Sequence, residues 1–143
     1  MDSDCKGGDE VMELDFMTKL NQRINSLSLY AHSSIGLLDV GESLSIMAMP
    51  GGSEVEYMDG MRDKDYQVQI NAKSKNQMNC LNALTIIYQA LENLADLPSG
   101  NGSYEFNRIS TPSLPSLVAQ DEQGFYVYAL SISAKITIYK GVA

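Results

Sequence analysis

Near the end of the chain, Tyr126, Tyr128, Leu130, Ile132, Ala134, Ile136 and Ile138 occupy every second position without a break. That is the spacing of a strand with one buried face. It predicts a strand over Phe125–Tyr139, about 50 Å long at about 3.3 Å per residue and beyond the usual range. Such a strand is expected to bend or to run past its own sheet. Phe125, Val127 and Ala129 make its first half apolar on both faces, so both sides there should be covered. Tyr66, Val68, Ile70 and Ala72 alternate with Gln67, Gln69, Asn71 and Lys73 in the same way, and Leu44, Ile46 and Ala48 with Ser43, Ser45 and Met47. Pro50-Gly51-Gly52-Ser53 reads as a turn, with a short return strand over Glu54–Met58. Tyr104–Ser110 and Leu114–Gln120 are further strands, the latter joined to the last one by a hairpin at Asp121-Glu122-Gln123-Gly124.

Two segments repeat at helical spacing instead. Leu14, Met17, Leu20, Ile24 and Leu27 predict a helix of about four turns that ends within Ser26–Ser34. Ser74 as N-cap, with Gln77 three residues on, predicts a capping box. The stripe Cys80, Leu84, Ile87, Leu91 and Leu94 then carries a helix over 75–96, about 33 Å long, stopped at Pro98. The order α-β-β-β-α-β-β-β indicates an α+β domain over residues 11–143: a mostly antiparallel sheet with two main helices packed on one face.

Charge adds a boundary. The 143 residues hold eighteen acids against ten bases, for a net charge of −8. Asp2, Asp4, Asp9, Glu10, Glu13 and Asp15 crowd the start, so residues 1–10 are expected as an acidic, solvated tail. The acidity argues against a protein that grips nucleic-acid backbone. No apolar run approaches the eighteen residues of a membrane span. The opening residues are the reverse of a secretory signal, and two cysteines, Cys5 and Cys80, fit a reducing compartment.

Candidate chemistry is thin. His32 is the single histidine, set beside Ser33 and Ser34 without nucleophile-elbow glycines. One histidine and two distant cysteines cannot build a zinc site. Cys80 lies on an apolar helix stripe, as a small core residue does. Counted as a calcium loop from Asp59, the sixth and twelfth places hold Lys64 and Ile70 rather than glycine and an acid. No phosphate-binding glycine motif is present. The expectation is no enzyme, no metal and no cofactor. A small-ligand module or hydrolase using Asp59, Asp63 and His32 is the less favoured alternative.

Adaptable apolar side chains are more informative. Met47, Met49, Met58 and Met61 crowd around the Pro-Gly-Gly turn, with Arg62 just after them. Flexible thioethers suit contacts that adapt to a partner. With Leu114, Leu117 and Val118 they form the candidate assembly interface.

The runs ESLSIMAMPGG, MDGMRDKDYQVQINAKSKNQ, YQALENLADLPSGNGSYEF and SLPSLVAQDEQGFYVYALSISAKITI carry a resemblance. Over about residues 12–140 the chain resembles the phage minor capsid protein family of long-tailed phages infecting Gram-positive bacteria, whose members are similar to tail terminators. The resemblance implies a small α+β virion subunit assembled in the host cytoplasm. It implies a hexameric ring of copies at the head–tail junction that ends tube growth. Its partners would be the tail tube protein and the head connector or stopper, with DNA passing through unbound. It brings no catalytic residues. Another neck protein, a head-completion or stopper ring, would share these features.

Overall fold

The computed structural model describes residues 13–110 and 113–139. The expected acidic tail, its boundary at residue 10 and Cys5 lie outside the described residues. Two antiparallel strands of 13 residues each, β4 (Arg62–Ser74) and β7 (Tyr126–Ile138), form the centre, paired from Arg62↔Ile138 to Ser74↔Tyr126. Their even-numbered residues from Val68 to Ala72 and from Tyr128 to Ile138 are buried, which is the alternation read from the sequence.

Each central strand has two shorter strands along its outer side. β2 (Ser43–Met49) and β3 (Glu54–Glu56) lie on β4; β5 (Tyr104–Ser110) and β6 (Ser116–Gln120) lie on β7. β7 therefore does not run past its own sheet, because β4 pairs with its whole length and β5 and β6 share its other side. Register shifts at Phe106/Arg108 and Leu117/Ala119 mark bulges in both of those partners, which bend a strand locally. The expected double cover of the first half of β7 is present. Phe125 and Ala129 are buried, and the Lys73 and Lys75 ammonium groups sit 4.8 and 5.2 Å from the Phe125 ring centre.

Both helices pack on one face. α1 (Phe16–Asn25) is shorter than the expected four turns and buries Phe16, Leu20 and Ile24. Phe16, outside the expected stripe, is its anchor, meeting Tyr66 and Tyr104 edge-on at 5.1 and 5.6 Å. α2 (Gln77–Glu92) buries Cys80, Leu84, Ile87 and Leu91 as the stripe predicted, but is also shorter than expected. Its cap is not Ser74. The Asn76 side chain accepts from the Met78 N–H at 2.9 Å, while Ser74 is the buried last residue of β4 and donates to Glu42. The Glu42 carboxylate also receives the Lys75 N–H, so it closes the strand-to-helix corner that a capping box would have closed.

The sequence pattern did not indicate β1 (Ser33–Ile35), the one parallel partner in the sheet among the described residues, which lies beside β2 ahead of the expected order. Three residues show no period of their own, and pairing with β2 makes them a strand.

Asp15 ties the start of α1 to the loop after α2. Its carboxylate accepts from the Ser99 and Ser103 hydroxyls and from the Gly100 and Asn101 N–H groups, at 2.7 to 3.2 Å. Burial pushes its pKa up, and these bonds together outweigh burial and hold it below its ordinary 3.8. The folded state thus binds this proton less readily than the unfolded chain. The resulting stability is present above the ordinary value and is lost as pH falls through the lowered one. Asp15→Asn should cost about 1–3 kcal/mol near neutrality. In urea titrations, the gap from wild type should close as pH drops below about 4; a gap unchanged with pH would refute the charged role.

Candidate assembly surface

The helix-free face of the sheet is polar. Rows of residues cross it in register, such as Met49–Gln67–Ser133–Ser110 and Ser45–Asn71–Ala129–Ser116. Gln67 donates to Ser133 at 2.9 Å, and Lys135 meets Asp65 at 2.6 Å. A recess of about 280 Å3 near one end is lined by Asp63, Asp65, Arg108 and Lys135, among others, and its opposite charges offset one another.

The methionine-rich hairpin lies along the β4 side. The expected turn and return at Pro50-Gly51-Gly52-Ser53 is instead a bulge: β2 and β3 run in the same direction along β4, because both pair with it antiparallel. Gly52 has φ +80° there, and a Cβ on it would lie 2.1 Å from the Asp65 carbonyl oxygen. The hairpin turns at Tyr57–Gly60, where the Gly60 N–H donates to the Tyr57 carbonyl at 2.9 Å. Side-chain bonds anchor the hairpin to β4. Ser53 donates to Asp65 and Tyr57 to Asp63, each at 2.6 Å. Bonds from Tyr57 and Thr137 hold the Asp63 carboxyl below its ordinary range; for Asp65, Lys135 and then Ser53 do the same. Tyr57, as donor to a carboxylate, is raised. The backbone is therefore fixed while the apolar side chains remain in solvent. Met58 is fully exposed, Met49 is 39% exposed, and Val55 and Tyr57 are exposed beside them. Met47 lies half-buried on the helix-free face opposite Gln69, and Met61 and Arg62 are half-buried where β4 begins.

Leu114, Leu117 and Val118 are all more than half exposed, on and just before β6. The two sets of sequence-predicted residues are thus not neighbours. They occupy opposite sides of one sheet, separated by β4 and β7.

The alternative site does not come together. Asp63 is the second residue of β4, whereas His32 bonds through its carbonyl to Leu44, which pairs with Ala72 near the other end of that strand. Nine strand residues separate the two levels, about 30 Å. Among the described residues, no group of three His, Cys, Asp or Glu side chains is placed to hold a metal ion.

Sequence reasoning missed a third exposed apolar group, Ile35 at the end of β1 with Leu37 and Val40 after it. Its only signal was apolar residues without a period, which reads as plain loop.

A family model described as bacteriophage tail terminator protein matches residues 18–138, most of the chain. The chain belongs to the bacteriophage tail terminator family. That membership makes it a structural protein of the phage virion, located at the tail and neck. No curated protein matches the terminator chain. Among solved structures, a chain from the virion of a native gene transfer agent particle is similar in fold. Its TM-score is 0.59 at 11% identity, covering 85% of this terminator and 94% of that chain.

Proposed function

We propose that copies of this chain form a closed hexameric ring on the head-proximal end of the tail tube. The ring stops tube growth and presents a docking face to the head connector or stopper, and DNA passes through it without specific binding. The role is structural, with no catalytic step. Met47, Met49, Met58, Met61 and Arg62 on one side, and Leu114, Leu117 and Val118 on the other, are its contact residues.

One observation carries this reading beyond family membership. The exposed apolar patches differ in sequence and lie on opposite sides of one sheet. A two-fold dimer uses one patch twice, whereas a ring needs two different patches facing opposite ways. Two different patches on opposite sides of the sheet support the second kind.

Electron microscopy of particles made without this chain tests the role. Over-long, unterminated tails are the expected result. Tails of normal length with leaking filled heads would identify a stopper instead.

A further inference from the structure

The two outer edges of the sheet are treated differently. At β1 the edge is closed: the Asn25 carboxamide accepts from the Ser33 N–H at 2.7 Å and donates to the Ser33 carbonyl at 2.9 Å. These are the bonds that an added strand would otherwise make. β6 has no such guard. All five of its residues are exposed, and among the described residues its backbone pairs only with β7. Residues 113–120 contain no charge. Proteins usually protect exposed edges with charge, proline, bulges or a covering element. Pro115 precedes β6 and a bulge interrupts it at Leu117/Ala119, but among the described residues neither a charge nor a covering side chain shields Ser116–Gln120. An uncharged, apolar edge left open beside a deliberately closed one is suited to receiving a strand.

A matching edge exists on the same molecule. Leu44 donates to the His32 carbonyl and Ile46 accepts from the Gly36 N–H, so even-numbered residues of β2 point their backbone groups outward. β1 covers only Leu44–Ile46, leaving the end of β2, around Ala48, open to the outside. Residues 43–53 are also uncharged. Met49 and Ala48 are exposed there.

We propose that the β6 edge of one copy pairs with the Met47–Met49 edge of the next, joining neighbouring subunits through a shared sheet. Strand direction favours this. β2 is antiparallel to β4, β4 to β7, and β7 to β6, so β2 and β6 run in opposite directions. A rotation that keeps every copy's polarity therefore brings these edges together antiparallel, the more stable form of pairing. Because β1 projects one strand beyond β2, the next copy must be displaced along the strands by about five residues to clear β6. Across four strands, that displacement corresponds to a strand tilt of roughly 40°, the range in which sheets close on themselves.

The inference rests on the ring reading, and its test separates the two. In a full-length chain carrying Cys5→Ser, with Cys80 buried in the core, Met49→Cys and Leu117→Cys are introduced singly and together. Assembled tails are treated with a short thiol-to-thiol cross-linker. The double variant should give a ladder of covalent multimers up to the closed ring. A mixture of the two single variants should stop at dimers, and each alone should remain monomeric. Dimers from Leu117→Cys alone would overturn the proposal in favour of a two-fold contact. Tails of normal length without covalent multimers would refute the edge pairing and leave the ring reading intact. If particles lacking the chain have normal tails and filled heads that do not leak, the ring reading falls and the edge pairing with it.

Discussion

Ile132→Ala should destabilise the free protein by about 2–5 kcal/mol, the usual cost of emptying a fully buried large aliphatic site. Ile132 has no exposure, pairs with Val68 at the middle of β7, and belongs to the cluster that joins both helices to the sheet. Its strand has β4 along one side and β5 and β6 along the other, so the sheet has little freedom to collapse into the space. Against a total stability of roughly 5–15 kcal/mol, the loss is large. A urea midpoint lowered with unchanged slope is the expected result. A midpoint within about 0.5 kcal/mol of wild type would mean that the core does not centre on β7.

That residue was legible in the sequence because its strand buries one face and leaves the other polar, and this contrast is written as a period of two. The α2 stripe was legible for the same reason, with a period of 3.6. Elements set by partners rather than by their own pattern were not. Ser33–Ile35 becomes a strand only because β2 lies beside it. Phe16 anchors α1 because Tyr66 and Tyr104, distant in sequence, converge on its ring. Ser74 has the chemistry of a cap, but the strand before it runs long enough to bury it, and Asn76 takes the role. The methionine-rich hairpin stood out by composition. Its relation to Leu114–Val118 did not, because which side of a sheet a strand occupies depends on topology.

Met49→Asp combined with Met58→Asp should leave the monomer folded and abolish assembly. Met58 is fully exposed and Met49 lies on an outer edge, so in the free subunit both carboxylates remain hydrated, and the change in unfolding midpoint should stay within about 0.5 kcal/mol per site. The hairpin already carries Glu54, Glu56 and Asp59 with no base between Met49 and Met61. Two added charges there raise local repulsion only slightly, because exposed charges are screened. At a contact between copies the balance reverses. A carboxylate taken out of water without a partner costs several kcal/mol, and in a ring every junction bears that cost. Mass in solution and electron microscopy of tails should then show monomer and unterminated tubes, while the far-ultraviolet spectrum stays that of the wild type. Rings that still form would remove the hairpin from the contact. An unfolded product would place its methionines in the core, against the exposure that makes them candidates at all.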